Sequence, residues 1–223
     1  MKQVKAIIWD YNGTLLNDLE IGLRTINTML TRRELPLLTC EQYREVFNFP
    51  VKDYYSKIGF DFTSEDWDEA AHEYVDQYTH LLPESHIFPQ AHKLLKLFSS
   101  MGKKQFILSA MEHDMLHKSA NDENIADFFE EISGINNIFA TSKIQNGIEL
   151  IKKHKLLPHE ICLLGDTTHD YEVAKELGCQ CVLIAGGHQS HSRLRQTGCK
   201  WVIDSLEEIN HDTTIDTKNT IIN

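Results

Sequence analysis

Residues 4–16 read Val4-Lys5-Ala6-Ile7-Ile8-Trp9-Asp10-Tyr11-Asn12-Gly13-Thr14-Leu15-Leu16. The segment from Val4 to Trp9 is short, β-branched and aromatic, and it ends at an aspartate followed by Asn12-Gly13. A run of this length closed by turn residues reads as a strand buried on both faces. Strands of that kind belong to parallel sheets, whose ligands bind at the carboxyl edge, where Asp10 falls.

Outward from this strand, Leu19, Leu23, Ile26 and Leu30 recur at helical spacing between Asp18 and Arg33. The chain then stays helical in period and rich in aromatics to about Glu84, with Pro50 and Pro83 as punctuation. After Pro89 strands and helices alternate. Ala91, Leu94, Leu95 and Phe98 mark a helix, and Gln105–Leu108 a strand ending at Ser109. Met111 to Asn121 reads as a helix, Ile135–Ala140 as another short apolar run, and Ile144 to His154 as a helix. Ile161–Leu164 reads as a strand, Tyr171–Leu177 as a helix, Cys181–Ala185 as a strand, Ser192–Gln196 as a helix and Trp201–Ile203 as a last strand. Repeated alternation implies an α/β fold, a Rossmann-like parallel sheet with helices on both faces. The expected organisation is a core of residues 1–16 and 86–209, a small all-helical cap at 17–85 inserted after the first strand, and a polar, frayed tail at 210–223.

The chain has 223 residues, 41% hydrophobic and 25% charged, with a formal net charge of −11. That acidity disfavours nucleic acid, and no basic run overrides it. The N-terminal apolar run is too short for a signal peptide, and nothing approaches a membrane span. Five cysteines without a CxxC pair suit reduced thiols and a cytoplasmic location. No nucleic-acid or membrane partner is expected, and the chain is expected to work as a monomer or homodimer.

Four features fall at carboxyl ends of expected strands or just before a helix: Asp10, Ser109, Lys143, and Asp166 with Asp170. Alone, each has an ordinary reading. Asp10 starts a turn, Ser109 caps a helix, Lys143 is a solvated helix residue, and Asp166 and Asp170 flank a helix start. Together, in this order, they suit a different one. Two aspartates at one sheet edge call for a cation, and Mg²⁺ takes carboxylates plus phosphate oxygens. A hydroxyl and a lysine there can hold and neutralise a phosphoryl group.

Asp10-Tyr11-Asn12-Gly13-Thr14-Leu15-Leu16 resembles the first motif of haloacid dehalogenase-like hydrolases, Asp-x-Asp-Gly-Thr-Leu after a hydrophobic strand. Ile107-Leu108-Ser109 resembles the second motif, Lys143 the third motif's lysine, and Gly165-Asp166-Thr167-Thr168-His169-Asp170 the fourth, Gly-Asp-x-x-x-Asp. The similarity spans about residues 4–208, with the cap placed as in the phosphoglycolate phosphatase-like branch. The resemblance implies a hydrolase of a small phosphorylated metabolite that works through an aspartyl-phosphate on Asp10. It implies Asp10, Asn12 and Lys143 as catalytic positions and Thr14, Ser109 and Ala110 beside the substrate. Mg²⁺ would rest on Asp10, Asp166 and the backbone carbonyl of Asn12, with Asp170 one layer behind, holding Lys143 or orienting a water.

The pattern departs at Asn12. The family's phosphatases carry an aspartate there, which protonates the leaving group and later deprotonates water. An amide can do neither, and a positioned acid–base group contributes about 10²–10⁴-fold. The expectation is a slow esterase, one selective for good leaving groups, or a catalytically weakened binding or regulatory protein. A dehalogenase or phosphonate-cleaving enzyme also lacks this aspartate. The former needs no Mg²⁺, which Asp166 and Asp170 argue for, and the latter needs a cap lysine, for which Lys52 and Lys57 lack context. His113 and His188 fall in loops near the site, where a plain surface histidine is the ordinary expectation. Gly186-Gly187-His188-Gln189-Ser190-His191 reads as a loop bordering the site, too poor in ligands for zinc. The cap aromatics are expected to form the cap's own core. Asn12-Gly13 is also a deamidation-prone pair, which would convert Asn12 to Asp.

Overall fold

A computed structural model describes residues 4–139 and 142–209, with the backbone of Thr214–Ile215 and Ile221–Ile222. Six parallel strands form one sheet: β1 (Ala6–Trp9), β2 (Lys104–Glu112), β3 (Glu131–Ile135), β4 (Ile161–Gly165), β5 (Gln180–Ile184) and β6 (Trp201–Ile203). Their order is β3-β2-β1-β4-β5-β6, so the chain builds outward on one side of β1 and then on the other. Such a reversal leaves a crevice at the carboxyl ends of β1 and β4.

The sheet is α/β and covered on both faces, as the alternation predicts. Side chains alternate along each strand. Ile7, Trp9, Ile107, Cys162 and Leu164 enter one apolar cluster, and Ala6, Ile8, Phe106, Leu108, Ile161 and Leu163 the other. The insertion between β1 and β2 carries α1 (Leu19–Arg32), α2 (Cys40–Val46), α3 (Val51–Lys57) and α4 (Trp67–Leu81). The first sheet face then receives α5 (Pro89–Ser100) and α6 (His113–Asp122). The opposite face receives α7 (Ile144–Lys153), α8 (Thr168–Glu176) and α9 (His191–Gln196). The insertion has its own apolar cluster, in which Tyr43, Tyr54, Tyr55 and Phe60 pack on Ile26, Met29 and Leu30 of α1.

Two local expectations are corrected. The strand ending at Ser109 runs on to Glu112, through an irregular register between Leu108 and Glu112 against β3. The following helix therefore starts at His113, capped by the Glu112 carboxylate, which accepts from the backbone N–H of Asp114 (3.1 Å) and Met115 (2.9 Å). Similarly, the strand near residue 135 lies earlier, at Glu131–Ile135. Beyond it Asn137 turns the chain by accepting from the Phe139 N–H at 2.9 Å. The tail at 210–223 lies outside the described residues except for Thr214–Ile215 and Ile221–Ile222, which pair antiparallel.

Candidate active site

Asp10 leaves β1 with its backbone N–H on the Leu164 carbonyl of β4, at 2.8 Å. Asp166 and Asp170 follow β4, the latter inside the first turn of α8. One oxygen from each of the three carboxylates lies within 4.8 Å of the others, and all three residues are buried. Lys143, which precedes α7, is 2% exposed. Its ammonium meets the Asp10 carboxylate closely and that of Asp170 at 2.7 Å. The solvated helix lysine of the ordinary reading is thus excluded.

Burial raises the Asp10 carboxyl well above the usual carboxylate range, against the pull of Lys143. Burial likewise lifts Asp166, to about 6. For Asp170 the Lys143 charge outweighs burial and the carboxyl is held low. Fully ionised, the three carboxylates around one ammonium would leave two negative charges to balance, the charge of one divalent cation.

Thr14 does not line the cavity above Asp10. It donates its hydroxyl to Asp166 at 2.9 Å, while the Asp166 carboxylate also accepts the His188 N–H at 2.6 Å. The close packing here depends on glycine. Gly13 has φ +74°, and a Cβ at Gly187 would lie 2.1 Å from Asp166 Oδ2. Ser109 lies inside β2 rather than capping a helix. Its Oγ accepts the Met111 N–H at 3.0 Å and reaches Asn12 Oδ1 at 3.5 Å. Ser109 and Ala110 both line the cavity.

Sequence reasoning missed Asp18. It is 2% exposed and accepts from four groups: the Asn12 amide (2.9 Å), the Gly13 N–H (2.7 Å), the Tyr78 hydroxyl (2.7 Å) and His188 Nε2 (3.2 Å). Its signal was its position, an acid at the start of the helix just after the Asn12-Gly13 turn. His188, expected at the surface, is also buried, with Nδ1 2.9 Å from the Tyr43 hydroxyl. Burial lowers the His188 pKa, but Asp18 outweighs it and holds the imidazole at about 9; the reciprocal attraction holds Asp18 low despite its own burial. The 186–190 loop borders the site, and it ties the core to the insertion. Arg44 donates to the Gly187 carbonyl at 3.0 Å, and Gln189 to the Phe47 carbonyl at 3.0 Å. His113 lies half-buried, 4.4 Å from the ring of His117, away from the cavity wall.

The helical insertion roofs Asp10. Its aromatics do more than fill their own core, for Phe47, Phe49, Tyr54, Trp67 and Tyr74 also face a cavity of about 150 Å³ over Asp10, Asn12 and Lys143. His169 lines the same wall, its ring tilted against that of Phe49 with centroids 5.1 Å apart, and burial pushes its pKa down.

Comparison with known proteins agrees with this geometry. Residues 7–184 match the family model described as haloacid dehalogenase-like hydrolase. A phosphoglycolate phosphatase from Chromobacterium violaceum is 20% identical, over 94% of this chain and 96% of its own. Among solved structures, a predicted phosphatase from Clostridium acetobutylicum superposes with TM-score 0.77 at 14% identity, covering 92% of this chain and 96% of that one. A haloacid dehalogenase-like family hydrolase from Streptococcus pneumoniae gives 0.72 at 23% identity, covering 93% and 97%. The chain belongs to the haloacid dehalogenase-like hydrolase family.

Proposed function

We propose that this protein is a Mg²⁺-dependent phosphatase that hydrolyses a small phosphorylated metabolite through an aspartyl-phosphate on Asp10, with turnover limited by Asn12. The observation that carries the reading is the buried Asp10 carboxylate, gripped by Lys143 and flanked by Asp166 and Asp170 at one sheet edge. The donor set fits Mg²⁺: it is all oxygen, and when fully ionised it leaves two negative charges unbalanced. Asp10, Asp166 and the Asn12 carbonyl would hold the ion, which supplies charge stabilisation for the phosphoryl oxygens.

Each residue then has a defined task. Asp10 attacks phosphorus in line, and its oxygen replaces the leaving oxygen. Lys143 orients Asp10 and neutralises charge on the transferring group, and Asp170 fixes Lys143 from behind. Ser109 donates to a phosphoryl oxygen. Thr14 and the His188 N–H fix Asp166. The insertion acts as a cap (17–85) that excludes water. Five free thiols support a reducing, cytoplasmic setting, and no helix among the described residues is long and apolar enough to cross a membrane.

The test is release of phosphate from p-nitrophenyl phosphate with Mg²⁺, for the native protein beside Asp10→Ala and Asn12→Asp. Native turnover lost in Asp10→Ala supports the phosphatase. Asn12 itself favours a second reading, a regulatory protein that binds phosphate esters without turning them over. Activity present only in Asn12→Asp would select that one.

A further inference from the structure

The cavity over Asp10 is unlike one built for a second anionic group. Its walls are Phe47, Phe49, Tyr54, Trp67 and Tyr74 with few polar atoms, and Lys143 is the sole lysine or arginine among its described lining residues. That ammonium is committed to Asp10 and Asp170. His188 commits both ring nitrogens, to Asp18 and Tyr43, and His169 turns Nδ1 toward Glu172 at 3.2 Å. A substrate carboxylate or second phosphate placed here would lose its water and meet no cation that is not already held by an acid of the site. The size also suits one ring. About 150 Å³ matches the volume of an engineered apolar cavity that binds one benzene. Tyr54 Oη and His169 Nε2 are buried without a hydrogen-bond partner among the described residues, so two neutral polar atoms remain on the wall to orient a ligand.

The chemistry at Asn12 points the same way. Neither group at the turn after Asp10 stands ready to protonate a leaving oxygen: Asn12 is an amide, and Asp18 already accepts four hydrogen bonds. A leaving group must then depart as its anion. Phenols ionise near pH 10, far more readily than alkanols, so a phenoxide can leave unaided.

Resting on the phosphatase reading above, we infer that the substrate is an aryl phosphate whose leaving group is one uncharged aromatic ring seated among the insertion's aromatics. In the first step an Asp10 oxygen bonds to phosphorus as the phosphorus–oxygen bond to the ring breaks, and the electron pair departs on phenoxide. In the second, water adds to phosphorus and the bond to Asp10 breaks. Both water protons end on the released dihydrogen phosphate, and phenoxide takes its proton from solvent.

The experiment compares kcat/KM for phenyl phosphate, benzyl phosphate, acetyl phosphate and phosphoglycolate in Mg²⁺, using the native protein, Asp10→Ala and Ala71→Leu. Ala71 lines the cavity and lies outside the charged site, so leucine there occupies ring space. The expected result is phenyl phosphate ahead of both benzyl phosphate and phosphoglycolate by at least tenfold. Ala71→Leu should raise KM for phenyl phosphate at least tenfold more than it raises KM for acetyl phosphate, and a circular dichroism spectrum matching the native protein shows that the variant folds. Asp10-dependent turnover in which phosphoglycolate or benzyl phosphate equals or exceeds phenyl phosphate overturns the aryl assignment and leaves the phosphatase standing. Absence of Asp10-dependent turnover with every ester overturns both.

Discussion

The Asn12 side-chain amide donates to Asp18 Oδ2 at 2.9 Å and lies at the same distance from the Tyr78 hydroxyl, which itself donates to Asp18. The amide nitrogen is therefore fixed on the acid, and the amide oxygen turns toward Ser109. Replacing Asn12 by Asp would set two carboxylates about as far apart as the present amide and acid, and such a pair holds one proton between them. Asn12→Asp should thus create a proton donor beside the leaving oxygen. The expected gain is about 10²–10⁴-fold in kcat for alkyl phosphates and far less for aryl phosphates. A falling alkaline limb should appear in the pH profile of the variant alone. A steady-state series of esters against leaving-group acidity checks this, and equal gains for both classes would refute the shared-proton argument.

Deamidation at Asn12-Gly13 requires the Gly13 nitrogen to attack the Asn12 side chain. In the folded protein that N–H is occupied, by Asp18 Oδ1 at 2.7 Å and the Leu16 carbonyl at 2.9 Å. The fold should therefore protect Asn12 although its sequence is deamidation-prone. Peptide mass spectrometry after incubation at pH 8 should find Asn12 intact in the native protein and converted in protein unfolded by urea. Asp18→Ala, which frees the Gly13 N–H from the acid, should deamidate at an intermediate rate. Equal rates in folded and unfolded protein would remove the protection.

The Asp18–His188 pair makes stability depend on pH. His188 titrates at about 9 in the fold against a reference near 6.5. Its stabilisation is fully present below pH ~6.5 and is lost as pH rises through 9. That shift corresponds to about 3 kcal/mol by linkage. Asp18 is shifted the other way, so its share is present above the unfolded carboxylate pKa and lost as pH falls through the lower folded value. Urea midpoints in chelator should fall between pH 7 and 10 for the native protein. A His188→Gln variant should be less stable at pH 6 and flat across that range; a native midpoint that does not move would contradict the pairing.

Much of this was legible in the chain. Strand periodicity set Asp10, Asp166 and Asp170 at one sheet edge, whereas Lys143 joined them through its resemblance to the third motif's lysine. The Asp18–His188–Tyr43 network was not legible, because His188 sits 145 residues from Tyr43 and 170 from Asp18 and meets them only when the 186–190 loop folds under the insertion. A histidine in a polar glycine-rich loop carries no local mark of burial. Nor did spacing show that the insertion's aromatics have two jobs, since helical periodicity says which residues share a face and not what that face covers. The Met111 helix start failed for a simpler reason: Glu112 is the cap, and a glutamate is not among the usual N-cap residues.

Gly187 offers a test of the proposed metal site that leaves Asp10 and Lys143 untouched. A Cβ there would stand 2.1 Å from Asp166 Oδ2 and 2.5 Å from the Gly13 carbonyl oxygen, well inside any real contact. Neither neighbour can yield easily, since one is a buried carboxylate held by Thr14 and the His188 N–H and the other is backbone. Gly187→Ala must therefore push Asp166 out of register with Asp10. The adjacent Gly186 is the control, because its nearest neighbour would be the Asp204 carbonyl at 3.9 Å, an ordinary contact. Gly187→Ala should raise the Mg²⁺ concentration for half-maximal activity by about 10–100-fold, the cost of disturbing groups that orient a metal ligand. Mn²⁺ titration by calorimetry should show the same loss without substrate, and Gly186→Ala should match the native protein in both. If Gly187→Ala binds Mn²⁺ as tightly as the native chain, Asp166 is not a ligand and the cation rests elsewhere.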